Sequence, residues 1–212
     1  PGQGKLLVEV NVGGAANVAD ACLAAGVRRL VHTSSIHALA EPPRGQVIDE
    51  TCPFAPEQIR FDYGKTKARG SLEVLRRVAE RGLDAVVVCP SGVVGPYDFG
   101  PSDMGRLLLA FARRRLRAYL DGGYDFVDVR DVALGLVAAA EKGRTGETYL
   151  LSGEQITMKE VLGEVARVTG LKPPSFKVTA WMADLAAPFS VLWGLLTRSR
   201  PFFTQDSLYY VR

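Results

Sequence analysis

The chain has 212 residues, 47% of them apolar and 23% charged, with a formal net charge of +3. This is the profile of an ordinary soluble globular protein, and the charge is too small to imply nucleic-acid binding. Only two histidines are present, His32 and His37, which excludes a multi-histidine metal centre. Cys22, Cys52 and Cys89 are odd in number and widely spaced, which speaks against a disulfide framework or zinc site and for the reduced thiols of a cytoplasmic protein.

Val8, Val12, Ala15, Ala19 and Cys22 recur at helical spacing and Gly26 supplies a stop, so the first helix is predicted over about 6–25. An apolar strand at 29–33 in "RRLVHTSS" ends in hydroxyl residues, and a polar, proline-containing loop runs from about 36 to 60. The next helix, about 61–81, carries Ala68, Leu72, Leu75 and Ala79 on one stripe and stops at Gly82. "AVVVC" at 85–89 is the continuous apolar run of a strand buried on both faces. Helices are predicted near 103–116 and 131–142, followed by a strand near 147–151. Thr157 and Glu160 have the spacing of a capping box for a last helix ending at Gly170. Strands alternating with helices of this length imply an α/β fold of parallel βαβ units.

Tyr63 and Lys67 stand four residues apart, which places them one turn apart on one helix face. A free tyrosine titrates near 10, too high for a base near neutrality, and a neighbouring ammonium favours the ionised phenol. Ser35, at the end of the preceding strand, adds a hydroxyl able to hold a substrate oxygen. Together they are the constellation of an oxidoreductase or epimerase. In open parallel α/β sheets, ligands bind outside the carboxyl ends of the strands. Ser34, Ser35, Pro90, Ser91 and Gly92 fall there, and His37, two residues past Ser35, is a candidate for the substrate pocket.

"NVGGAANVADACLAAGVRRLVHTSS", Tyr63-x-x-x-Lys67, "CPSGVVGP", "YDFVDVRDVALGL" and "GETYLLSGEQITMKEVLGEVARVTG" occur in that order. In order and approximate spacing they resemble the extended short-chain dehydrogenase/reductase family, from about Asn11 to Gly170 and more loosely to Arg212. The resemblance implies a Rossmann-like doubly wound parallel sheet and a NAD or NADP cofactor. It implies that Tyr63 is the general acid/base, that Ser35 hydrogen-bonds the substrate oxygen, and that Lys67 binds the nicotinamide ribose. Thr33 and Ser34 would stand beside the cofactor as strand-end hydroxyls, and Pro90, Ser91, Gly92 and Val93 would face its nicotinamide end. Asn11 matches a recurrent family position and is expected to be structural. Two molecules are expected to pair through the helices at about 6–25 and 61–81. Residues 1–170 would be the remainder of the dinucleotide-binding domain, with substrate loops inserted after about 92, and 171–212 part of a small substrate-binding lobe.

The family opens with a strand, a Gly-rich turn and a helix that receives the pyrophosphate, and no such motif follows an apolar strand in this sequence. The chain is therefore expected to be an internal portion of a longer protein, lacking the first βαβ part and binding dinucleotide poorly by itself. Sugar-nucleotide members commonly carry Arg just before the strand corresponding to "FVDVRD", whereas Tyr124 and Asp125 stand there here. That departure favours a small-molecule alcohol or carbonyl substrate, as in dihydroflavonol reductases. A nucleotide-sugar epimerase or dehydratase is the alternative, and a catalytically silent dinucleotide sensor a further one. Arg113, Arg114, Arg115 and Arg117 read as a solvated helix end, with a phosphate clamp as the competing role. The apolar run "VTAWMADLAAPFSVLWGLL" is interrupted by Asp184 and Pro188, so stable membrane insertion is not expected.

Overall fold

The first helix is longer than its periodicity predicts, and it is interrupted. In the computed structural model, which describes residues 3–179 apart from 44, 117 and 121, together with Met182 and Tyr209, α1 (Gln3–Val8) passes through a π-helical turn at Glu9–Gly13 into α2 (Gly14–Ala24). The strand β1 (Leu30–Thr33) follows, and then a 3-10 turn at Ile36–Ala38. The helix α3 (Asp62–Arg81) leads to β2 (Ala85–Pro90) and the short β3 (Gly92–Val94). Beyond these come α4 (Asp103–Ala112), β4 (Ala118–Leu120), β5 (Gly123–Asp128), α5 (Val129–Lys142), β6 (Thr148–Leu151), β7 (Glu154–Thr157), α6 (Met158–Thr169) and β8 (Phe176–Val178).

The described residues divide into two compact units. The first comprises residues up to Val93 together with Val127–Ser152; the second comprises Val94–Phe126 and the described residues from Gly153 onward.

In the first unit β1, β2 and β6 form a parallel sheet with β2 in the centre, in register from Leu30↔Ala85 to Thr33↔Val88 and from Val87↔Thr148 to Pro90↔Leu151. Because side chains alternate across a strand, the two faces of β2 build two cores. Ala85 joins Ala19, Val74 and Leu83, with Leu30 and Val78 beside them, on the face covered by α2 and α3. Val86 and Val88 join Ala139, Val31 and Leu136 on the face covered by α5. The central strand is therefore buried on both sides, as its uninterrupted apolar run predicts.

The helix α3 is closed at its C-terminus by Gly82 in the left-handed region (φ 68°), with Leu83 N–H donating to the Arg77 carbonyl at 3.2 Å. Arg77 is buried and fastens α2 to α3, donating to Asp20 Oδ2 at 2.6 Å and to Glu73 Oε2 at 2.7 Å. Asp20 is correspondingly held down at about 2, first by the hydrogen bond from Arg77.

In the second unit β5 and β7 pair antiparallel from Gly123↔Thr157 to Phe126↔Glu154, and β4 pairs in parallel with β8. Phe111 on α4 packs with Leu162 and Ala166 on α6. The expected capping box is present: Thr157 Oγ1 accepts from Glu160 N–H at 3.2 Å, and Glu160 Oε2 accepts from Thr157 N–H at 2.7 Å. The helix α4 ends at Ala112 rather than near 116. Arg114 takes a left-handed conformation (φ 56°) and Arg115 N–H turns back to the Ala110 carbonyl at 2.8 Å, which stops the helix. Arg113, Arg114 and Arg115 are exposed; Arg117 lies outside the described residues, as does most of the apolar run at 178–196.

Among the described residues one helix, Gly4–Ala24, is long and apolar enough to cross a membrane by length and composition. Its inner side is a core surface, since Ala15, Ala19, Cys22 and Leu23 pack toward α3 and β1. Leu6, Val10 and Val18 remain exposed on it.

Candidate active site

Two backbone terminations bring the candidate side chains together. The strand β1 ends at Thr33, and Ser34 and Ser35 follow as buried residues. Ser34 N–H donates to the Val88 carbonyl at 2.7 Å, so the chain keeps its place beside β2 for one more residue before turning away. Ser35 caps the 3-10 turn, its Oγ accepting from His37 N–H at 3.3 Å. With that lone pair engaged, the Ser35 hydroxyl keeps its own hydrogen to donate.

The helix α3 comes against this strand end. Tyr63 and Lys67 lie one turn apart on it, as their spacing predicts. Lys67 Nζ donates to the Thr33 carbonyl at 2.8 Å. Burial holds its ammonium below the ordinary lysine value of 10.5. The Tyr63 ring is half exposed and meets the His37 ring edge-on, with centroids 6.4 Å apart and planes at 72°. Burial pushes His37 down to about 4, so the imidazole is neutral at physiological pH. The approach is close enough that a Cβ on Gly64 would collide with the His37 carbonyl oxygen, and it would stand 2.8 Å from Ile59 Cγ2. Glycine is thus required beside Tyr63 for the helix to lie this near the turn.

At the end of β2, Pro90 is buried, while Ser91 N–H donates to the Leu151 carbonyl at 3.0 Å. The Ser91 hydroxyl is buried with no hydrogen-bond partner among the described residues, and so is His32 Nε2 on β1. Gly92 is partly buried and Val93 exposed as the chain enters β3. Thr33 is exposed at the carboxyl end of β1. Every candidate residue of the first unit therefore sits at or just past the end of a parallel strand, or on the turn of α3 facing β1.

Ser71 and Thr66 are absent from the sequence reading, whereas Asn11 was expected there as a structural residue. Ser71 is fully buried, with Oγ 2.7 Å from Ser34 Oγ and 3.0 Å from the Lys67 carbonyl oxygen. The Cys89 thiol is buried near the end of β2, and burial pushes it up to about 11. Asn11, in the π-helical turn, donates from Nδ2 to Thr66 Oγ1 at 3.0 Å, and Thr66 Oγ1 donates to the Tyr63 carbonyl at 3.0 Å. The spacing of Thr66, Gly70 and Ser71 behind Tyr63 and Lys67 was the available signal, since these are the small residues on the inward side of α3.

Comparison with known proteins identifies the family. Residues 3–152 match the family described as NAD dependent epimerase/dehydratase. The chain is 40% identical over 172 residues to sterol demethylase protein B of Methylococcus capsulatus, covering 81% of this chain and 52% of that protein. It is 34% identical over 191 residues to a Synechocystis protein provisionally named a dihydroflavonol 4-reductase, covering 88% of this chain and 54% of that protein. The crystal structure of a nucleoside-diphosphate-sugar epimerase from Pseudomonas aeruginosa superposes with a TM-score of 0.75 at 25% identity, covering 95% of this chain and 72% of that one. The chain spans about half the length of the two curated relatives. By its family match and its parallel sheet, this chain belongs to the NAD dependent epimerase/dehydratase family.

Proposed function

We propose that this protein is a NAD- or NADP-dependent oxidoreductase acting on a carbonyl or secondary alcohol, with Tyr63, Lys67 and Ser35 as its working groups. The observation that carries the reading is the contact between α3 and the end of β1. Lys67 Nζ is fixed on the Thr33 carbonyl, and the phenol one turn earlier stands over the turn that begins at Ser35.

The hydride chemistry belongs to NAD or NADP when it is bound. The residues present suit such a group: Ser91 offers an orphaned buried hydroxyl, Thr33 an exposed one, and Lys67 keeps two ammonium hydrogens beyond the one given to Thr33. Reduction of a carbonyl builds negative charge on its oxygen. In this reading Ser35 donates a hydrogen bond to that oxygen and Tyr63 Oη supplies the proton; in the alcohol-oxidising direction Tyr63 removes it. Neutral His37 lines the substrate side of Tyr63 without bringing a second charge to it.

An apolar or neutral substrate suits the chain better than an anionic sugar nucleotide. On β5, Tyr124 packs edge-on against Phe126 with ring centroids 5.6 Å apart, and the Asp125 carboxylate accepts from Gly153 N–H at 3.0 Å. The stretch presents two aromatics and an acid, and no guanidinium. The relative provisionally named a dihydroflavonol 4-reductase supports the same substrate class.

The test is Tyr63→Phe in the intact protein, with NAD(P)H followed by absorbance against a panel of secondary alcohols and ketones. The ring stays and the transferable proton goes, so turnover should fall by about 100-fold or more while the thermal midpoint holds. Near-wild-type turnover in the variant would remove Tyr63 from the chemistry.

A further inference from the structure

Resting on the roles just given to Tyr63 and Lys67, we infer that Ser71, acting with Ser34, is a positioning residue that sets the spacing between the α3 turn and the end of β1. Two rungs join these elements. Lys67 Nζ reaches the Thr33 carbonyl at 2.8 Å, and one helical turn further on Ser71 Oγ reaches Ser34 Oγ at 2.7 Å. The rungs use consecutive residues of the strand and residues four apart on the helix. They form one ladder between the same two backbones.

Only the lower rung is inaccessible to a ligand. Ser71 is wholly buried and Ser34 nearly so, whereas Lys67 and Tyr63 open toward solvent. A buried hydroxyl pair has a defined geometry, because an oxygen left unpaired away from water carries a desolvation penalty with nothing to offset it. Ser71 also holds the carbonyl of Lys67 itself at 3.0 Å, so the lysine is fixed at both ends, by its backbone to Ser71 and by its ammonium to Thr33. Ser34, the partner of Ser71, is followed directly in the chain by Ser35, which caps the 3-10 turn. The residue that fixes Lys67 thereby also borders the backbone that presents Ser35. A side chain at position 71 that lost this contact would let the helix and strand end move apart, and misplacement on the ångström scale costs up to about 100-fold in rate.

The experiment uses Ser71→Ala and the double variant Ser34→Ala/Ser71→Ala in the intact protein, with three readouts. These are the thermal midpoint, the kcat for NAD(P)-linked turnover, and the titration of the Lys67 amine followed by NMR of the isotopically labelled lysine. In the single variant the midpoint should fall, since one buried hydroxyl is stranded. The double variant removes both polar partners and should recover most of the midpoint. In both variants kcat should stay at least about tenfold below wild type, and the Lys67 titration should move up toward 10.5 as the ammonium gains solvent. A merely structural pair would give the opposite pattern in the double variant: kcat and the Lys67 titration would return with the midpoint, and that result overturns the inference. Tyr63→Phe run alongside separates the two questions. If it retains turnover the catalytic reading fails, while the position of the Lys67 titration still decides whether Ser71 sets the spacing.

Discussion

Lys67 shows how one side chain can serve two surfaces. Its ammonium is tied to a strand-end carbonyl and its pKa is depressed by burial, yet it lies one turn from the exposed Tyr63. Lys67→Met should weaken dinucleotide binding by about tenfold in the intact protein, because a charged donor to the ribose is lost. Calorimetric titration with NAD and NADP measures it, and unchanged affinity would reduce Lys67 to a helix–strand tie. The two histidines give a pH dependence. His32 is held at about 4 by burial and then by the Lys67 charge, and His37 at about 4 by burial, against an ordinary value of 6.5. The unfolded chain therefore binds more protons than the folded one between about pH 6.5 and 4, and stability falls as the pH drops through that window. The loss is on the order of 3 kcal/mol per histidine at most. Asp20 and Asp128, held at about 2 chiefly by hydrogen bonds from Arg77 and Arg130, weaken only at lower pH. Urea midpoints at pH 7 and pH 5 should differ accordingly; equal midpoints would mean the imidazoles ionise freely in the fold. Tyr63, Lys67 and the strand-end serines were legible in the sequence because fixed spacing on a helix and position at a strand end carry chemical meaning. Ser71 was not, since a serine inside a helix reads as neutral filler until its partner 37 positions away is placed beside it.

Between α3 and the turn at Ile36–Ala38, the decisive atom is one that is missing. Gly64→Ala would drive a methyl into the His37 carbonyl oxygen, so α3 must shift outward and carry Tyr63 with it. A cost of about 1–3 kcal/mol is expected from the overpacking. Turnover should fall further than stability explains, and its recovery at low temperature, where the protein is fully folded, would contradict the geometry. Long elements were readable from periodicity: α3, α5, α6 and the central β2 lie close to where the apolar pattern puts them. Of the short strands, β1 and β6 were read from apolar runs set between helices, whereas β3, β4, β7 and β8 were not, since three or four residues alone establish no period-two pattern. β7 reads "EQIT", mostly polar, and is a strand because β5 pairs with it. The stop of α4 at Ala112 was hidden for another reason: its left-handed residue is Arg114, where a glycine would have announced it.

At the scale of the molecule, apolar side chains on the first helix and on α3 are exposed. Leu6, Val10 and Val18 are each more than half exposed, and Leu72 on α3 is 40% exposed. Pairing of two copies through these helices would cover them. Light scattering of the intact protein at tens of micromolar should give a dimer mass, and Val10→Glu should shift it toward monomer; a monomeric wild type with full activity would remove assembly from the account. The π-helical turn at Glu9–Gly13 gives this surface an unusual genetics. A π turn holds one residue more than the α-helix around it, and each residue of an α-helix advances the side chains by about 100°. Deleting Glu9 from that turn would close it to an ordinary α turn and leave the segments on either side in phase, Leu6 included. The packing of Ala19 against Val74 would be untouched. Loss of Glu9 should therefore leave the circular dichroism, the thermal midpoint and the oligomeric mass near wild type. Deleting Leu7 from the regular helix would instead swing residues 4–6 by about 100° and change the mass, so the turn is a joint at which this helix can lose a residue and keep its face.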